Sequence, residues 1–338
     1  MTESTQNFRY LSSSATDVGC TRALNEDALL ERPEIGLWAI ADGMGGHESG
    51  DLASQTIIES LFRIEPALDP AGFLRDVQWR IRVAHQALRR EAARRETQST
   101  IGSTVVALLI SGQEYTCVWA GDSRAYLLRD GALSQITRDH SLVQEMVEAG
   151  QLEPEQAESH PRANVITRAV GAAEDLELER RTDRFRPGDR IMLCSDGLTR
   201  QVPEAEIAEI LRNAKIAEAA PALEKVAREH KTRDNVSVIV VACEPAGENE
   251  DELADTLPRA SRRSAASLSD LDAGAGAPEA PAASIVPEVT TERSGDAELD
   301  RILSVESQQG KDPRPEAQKS RIWGGLFGRF RASDEKKD

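Results

Sequence analysis

Short, almost wholly apolar runs recur along this chain: LWAIA (37–41), TVVALLI (104–110), YTCVWA (115–120), RIMLC (190–194) and VSVIVVA (236–242). Most are rich in β-branched or aromatic residues, so each fits a buried strand, and RAYLLR (124–129) joins them. Their shortness and close spacing point to layered sheets. Asp130-Gly131 sits between two apolar runs and supplies the positive φ angles of a tight hairpin, which predicts an antiparallel meander over 115–136. Between the strand runs lie amphipathic stretches at 51–63, 71–95, 203–213 and 220–230. In the second, Phe73, Val77, Ile81, Ala84 and Leu88 recur at helical spacing. Pro203 suits the first turn of the third. The fold class expected is α+β, with helices covering packed sheets and no internal repeat.

This pattern stops near residue 244, where Ala, Pro, Ser, Gly and acidic residues take over. Stretches such as AGAGAPEAPAAS bury too little surface to order, so 244–320 reads as a disordered acidic linker. The end differs again. Within 321–338, RIWGGLFGRFRAS sets Trp323 and Phe327 among Arg321, Arg329 and Arg331, a short apolar and basic motif. At about 150 residues per domain, the 338 residues leave room for one large folded domain, taken as 8–243, with this tail behind it.

The net charge of −17 argues against nonspecific nucleic-acid binding, which depends on lysine and arginine neutralising phosphates. Cys20, Cys117, Cys194 and Cys243 are far apart and form no C-x-x-C, so they read as reduced core thiols. The first thirty residues lack a basic start with an apolar stretch behind it, and no run of eighteen apolar residues occurs. A cytoplasmic protein without a membrane span is expected.

The chemistry is carried by aspartates beside glycine or asparagine at the ends of apolar runs: Asp42 in AIADGMGG, Asp122 in WAGDSR, Asp196 in LCSDGL and Asp234 in TRDNVSV. Asp27 in RALNEDALL joins them. A lone Asp-Gly is ordinarily a turn. A carboxylate at the lip of a core strand, however, loses hydration at a cost of several kcal/mol unless it is paired or binds a cation. Hard oxygen ligands without clustered His or Cys select Mg²⁺ or Mn²⁺, and carboxylates converging from distant segments suit a two-metal site. Two such ions lower the pKa of a bridging water from about 15.7 toward neutrality and yield a hydroxide that attacks phosphorus in line. Other chemistries find no support: the chain lacks a phosphate-binding G-x-x-x-x-G-K-[ST] loop, a G-x-S-x-G elbow and a complete EF-hand ladder. Ser195 is therefore not expected to be a nucleophile, nor is Cys194, which has no basic neighbour in sequence.

The ordered set GCTRALNED (19–27), ADGMGGH (41–47), GST (102–104), AGDSRAY (120–126), SDGL (195–198) and RDNVS (233–237) resembles the bacterial metal-dependent phosphatases of the PPM, or protein phosphatase 2C, family. The resemblance covers roughly 8–243. It implies a β-sandwich of two antiparallel sheets flanked by α-helices, with a Mn²⁺ or Mg²⁺ pair in a cleft at one end. By motif position, Asp42 is similar to the carboxylate that bridges both ions. Asp27, Asp196 and Asp234 are similar to terminal ligands, Gly43 to the donor of a backbone carbonyl, and Asp122 to the residue that shares a weaker third ion with Asp196. Arg22 matches the arginine that grips the substrate phosphate, as a planar guanidinium can do bidentately.

One departure is Met44, which stands where animal-type members carry a histidine proposed as general acid; His47 follows three residues later. Residues 138–171, holding His140, His160, Arg162 and Arg168, occupy the place of the family's variable flap, a kind of loop that commonly sets specificity.

What the resemblance implies is a hydrolase that dephosphorylates phosphoserine and phosphothreonine in proteins without a covalent intermediate. It would act in signal transduction, opposing a bacterial Ser/Thr kinase. A phosphatase of small phosphoesters and a metal-free phosphoprotein scaffold are the alternatives. For 321–331 the readings are a docking peptide for a partner protein, a weak lipid anchor, or a chance cluster.

Overall fold

The computed structural model describes residues 8–45, 49–66, 69–95, 100–157 and 159–245. His47, the linker beyond Pro245 and the motif 321–338 lie outside the described residues. The first strands are β1 (Phe8–Asp17), β2 (Asp27–Arg32) and β3 (Leu37–Met44). Two helices follow, α1 (Ser49–Phe62) and α2 (Pro70–Arg94). Then come β4 (Gly102–Ser103), β5 (Val105–Ser111), β6 (Glu114–Ala120), β7 (Arg124–Arg129) and β8 (Ala132–Gln135). After α3 (Leu142–Glu148) and α4 (Pro154–Ala157), the chain forms β9 (Glu179–Arg184) and β10 (Arg190–Cys194). It closes with α5 (Asp196–Thr199), α6 (Glu204–Asn213), α7 (Ile216–Glu229) and β11 (Val236–Pro245).

One sheet runs β1-β11-β10-β7-β8 and the other β2-β3-β5-β6-β9, with β4 attached to β3. The strand pairs are antiparallel throughout. The apolar runs are continuous because both faces of the central strands are covered. Along β3, Leu37, Ala39 and Ala41 face the layer made by α1 and α2, whereas Trp38 and Ile40 enter the core between the sheets. β11 alternates likewise, with Val236, Val238 and Val240 against α6 and α7 and Ile239 and Val241 between the sheets. The described residues are thus layered helix, sheet, sheet, helix, an α+β sandwich. Each fully buried Leu, Ile or Val contributes about 1.5–3 kcal/mol.

Helix ends shift only slightly from the sequence reading. Asp69 caps α2 by accepting from the Gly72 amide at 2.7 Å, with Pro70 opening the helix. Pro203 lies at the cap of α6 rather than inside its first turn, and α7 starts at Ile216, so that Pro221 falls within the helix. The hairpin turn is as expected, with φ of 51° at Asp130 and 78° at Gly131. The wider meander over 115–136 is not: β6 pairs with β5 and β9, and β7 with β10 and β8, so the chain changes sheets across Gly121–Ser123. Cys20 is another correction. It is exposed, whereas Cys117, Cys194 and Cys243 are buried. Among the described residues no helix is long and apolar enough to cross a membrane.

Candidate metal centre

Five aspartates lie where strands end or begin at one end of the sandwich. Asp27 opens β2 and stands directly opposite Asp42 in the β2–β3 register. Asp122 follows β6, Asp196 follows β10, and Asp234 precedes β11. Cys194 pairs with both Arg124 and Val238, which brings the starts of β7 and β11 to the end of β10. The neighbouring glycines are required by close approach. A Cβ on Gly43 would lie 2.0 Å from the Gly50 carbonyl oxygen, and one on Gly197 would lie 2.0 Å from that of Asn235. The Asp-Gly pairs therefore mark backbone contacts that let acidic residues sit side by side.

Burial and mutual repulsion dominate the electrostatics. Burial first, then Asp27, Asp196, Asp122 and Asp234, raise the Asp42 carboxyl well above the ordinary range. Asp196 is pushed up to about 8 by burial and then by Asp122, with Arg200 pulling the other way. Asp27 rises to about 6, chiefly through burial, although the Ser195 and Ser237 hydroxyls restrain it. Asp122 is raised by burial and restrained by Arg200. Asp27 Oδ1, Asp122 Oδ1, Asp196 Oδ1 and Glu26 Oε1 are buried without a hydrogen-bond partner. Such orphaned oxygens are costly, and a divalent cation is the partner that suits several at once. By this test the donor set fits hard divalent ions.

Among the described residues, no three His, Cys, Asp or Glu side chains converge as a set that could hold a metal ion. Two arginines instead occupy three of the carboxylates. Arg22 Nη2 lies 2.9 Å from Asp234 Oδ2. Arg200 Nη2 lies 2.5 Å from Asp196 Oδ2 and 3.4 Å from Asp122 Oδ2.

Several supports escaped the sequence reading. Ser195, fully buried, donates to Asp27 Oδ2 at 2.8 Å and accepts from the Ser237 amide at 2.9 Å, so it orients a carboxylate. Thr104 accepts from the Asp42 amide at 3.1 Å and donates its own amide to the Asp42 carbonyl at 2.9 Å. Asn235 gathers the loop that carries Arg22. Its Nδ2 donates to the Val18 and Leu24 carbonyls at 2.9 Å each, and its Oδ1 accepts from the Glu26 amide at 2.8 Å. Ser195 and Asn235 lie inside the SDGL and RDNVS motifs, but their partners are remote in sequence. Arg200 follows SDGL, and no local pattern marks it.

The flap region is folded. α3 and α4, with Asp122, Asp196 and Arg200, line a cavity of ≈ 260 Å³ beside the carboxylates. His140 is buried and accepts from the Gly121 amide at 3.1 Å, with burial lowering its pKa, so it fastens the β6–β7 turn as a neutral ring. Arg168 pairs with Glu177 and Glu179. Burial pushes the Cys194 thiol up to about 12, which removes it as a nucleophile.

A family profile described as "Protein phosphatase 2C" matches residues 21–236. The serine/threonine protein phosphatase PstP of Mycobacterium tuberculosis is 37% identical over 233 residues, which are 69% of this chain and 44% of that protein. The chain thus spans less than half the length of that relative. Among solved structures, PppA, described as a key regulatory component of T6SS in Pseudomonas aeruginosa, is 39% identical with a TM-score of 0.65, covering 70% of this chain and all of that one. The catalytic domain of PstP in complex with 2 manganese ions is 35% identical with a TM-score of 0.63, at the same coverage.

Proposed function

The chain belongs to the protein phosphatase 2C (PPM) family, and from that premise we propose that it is a metal-dependent phosphatase of phosphoserine and phosphothreonine in proteins. The observation that carries this reading is the cluster of buried, mutually repelling carboxylates with unpartnered oxygens at one end of the sandwich. Residues 8–243 form the catalytic domain of a cytoplasmic enzyme in this reading, and a bacterial Ser/Thr kinase is the enzyme it opposes. PstP, solved with manganese, supports divalent-metal use.

Asp42 would bridge two Mn²⁺ or Mg²⁺ ions, with Asp27, Asp196, Asp234 and the Gly43 carbonyl as further ligands. When bound, the ions neutralise phosphoryl oxygens and acidify a water for in-line attack. The protein's own groups prepare that chemistry. Ser195 occupies Asp27 Oδ2, which leaves Oδ1 as the oxygen to offer. Thr104 fixes the Asp42 backbone at the β3 end. The Arg22 side chain is 46% exposed and held by Asp234 at 2.9 Å and Glu26 at 3.7 Å at the rim, so it can turn toward a phosphate dianion and grip it with two N–H groups. Met44 offers no proton to the leaving group.

The test is Mn²⁺-dependent phosphate release from phosphothreonine peptides, phosphotyrosine peptides and an aryl phosphate, by the wild type and Asp42→Asn. Phosphothreonine release that is lost in the variant supports the reading. Equal rates on all three substrates favour a small-ester phosphatase. No release by folded wild-type protein with Mn²⁺ present contradicts the reading and leaves the scaffold alternative.

A further inference from the structure

Asp122 and Asp196 face each other across the wall of the ≈ 260 Å³ cavity, and by family resemblance they are the pair that would share a third ion. A cation already lies between them. A single nitrogen, Arg200 Nη2, is 2.5 Å from Asp196 Oδ2 and 3.4 Å from Asp122 Oδ2. We infer that Arg200 is the resident counter-ion of this carboxylate pair and takes the place of a third metal, so that the chain binds two exchangeable ions and not three. The inference rests on the two-metal reading above.

Three features hold the guanidinium there. α5 begins at Asp196 and ends at Thr199, and the Arg200 amide donates to the Asp196 carbonyl at 2.9 Å. Asp196 and Arg200 are therefore four residues apart on one helical turn, the spacing at which side chains meet. Asp122 is only 5% exposed and cannot turn to solvent for neutralisation. A guanidinium keeps its charge at physiological pH, whereas a metal ion must be recruited from solution.

Competition with a third ion is steric and electrostatic. Mg²⁺ requires oxygen ligands at about 2.0–2.1 Å, inside the space that Nη2 fills, and a divalent ion there would face a positive group at contact distance. Being tethered, Arg200 competes at a high effective concentration. It takes up one oxygen of each aspartate and leaves both Asp122 Oδ1 and Asp196 Oδ1 unpartnered, so Asp196 can serve the arginine and a core ion together. Arg200 is in this sense a positioning residue for Asp196.

The experiment counts bound Mn²⁺ on the full chain by equilibrium dialysis and by electron paramagnetic resonance into the millimolar range. The wild type is expected to hold two equivalents, and Arg200→Gln a further weak one that Arg200→Lys does not gain. Asp122→Asn in the wild-type background is expected to change nothing in the count, which keeps the inference testable if Arg200→Gln fails to fold. A wild type that holds three equivalents and loses one in Asp122→Asn overturns the inference, as does a folded Arg200→Gln that still holds two. A wild type that binds no Mn²⁺ removes the metallophosphatase reading and the inference with it.

Discussion

The loop between β1 and β2 and the turn after β10 each bring an arginine to the carboxylate end, but they hold it differently. Arg22 lies on an exposed loop fastened from beneath by Asn235, and its half-exposed side chain meets Asp234 Oδ2 at 2.9 Å and, more loosely, Glu26 Oε2 at 3.7 Å. Arg200 lies on the turn that also carries Asp196, and its guanidinium spans two buried carboxylates. The first arrangement leaves the charge free to follow a ligand. The second spends it on the protein's own aspartates. A crowded anionic site therefore divides its positive charge between recognition and internal neutralisation, and backbone placement decides which arginine does which.

Breaking the cluster that both arginines serve should have the largest effect. Asp42→Asn is expected to lower kcat for Mn²⁺-dependent hydrolysis by at least about 10²–10³-fold, comparable to removal of a transition-state charge partner. Its fold should be retained, as circular dichroism would verify. On the recognition side, Arg22→Ala is expected to lower kcat/KM by roughly 10- to 100-fold, the worth of a charge-assisted contact of about 1.5–3 kcal/mol. Its Mn²⁺ count should equal that of the wild type, the opposite of Arg200→Gln. An Arg22→Ala variant with full kcat/KM would erase the distinction.

Asn235→Ala sharpens the contrast by loosening only the Arg22 loop. Leaving its buried partners unsatisfied costs about 1–3 kcal/mol, which thermal denaturation should detect as a Tm lowered by several degrees. The last effect concerns pH. Asp196 titrates near 8 in the folded metal-free protein, against about 3.9 when unfolded. The folded state thus keeps this proton longer, and the stability it confers is complete below pH ~4 and lost as pH rises through about 8. Metal-free protein should accordingly lose Tm between pH 5 and 8, and Asp196→Asn should flatten that decline. An equal slope in both proteins would refute the crowding argument.

Where both faces of a strand are buried, the apolar run itself marks it, and β3, β5, β10 and β11 are legible for that reason. β1 (FRYLSSSATD) and β9 (ERRTDR) are not, because they border the sheets. Ser12 of β1 hydrogen-bonds Glu31 across to the other sheet, and β9 is largely exposed, so neither needs apolar residues. The false meander arose at Gly121-Asp122-Ser123, where adjacency in sequence concealed a change of sheet. Asp42, Asp122 and Asp196 stood out because a carboxylate beside a glycine at a strand end is a local pattern, and Asp234 beside asparagine extends it. Ser195, Asn235 and Arg200 did not. Their work depends on partners such as Asp27, Val18 and Asp122, which only folding brings near.

The division of charge is tested most directly by anomalous diffraction at the manganese edge from crystals grown with Mn²⁺. Peaks among Asp27, Asp42, Asp196 and Asp234, with Arg200 still between Asp122 and Asp196 and no peak there, are the result predicted. A map without manganese beside Asp42, or with manganese between Asp122 and Asp196 and Arg200 turned away, would contradict it.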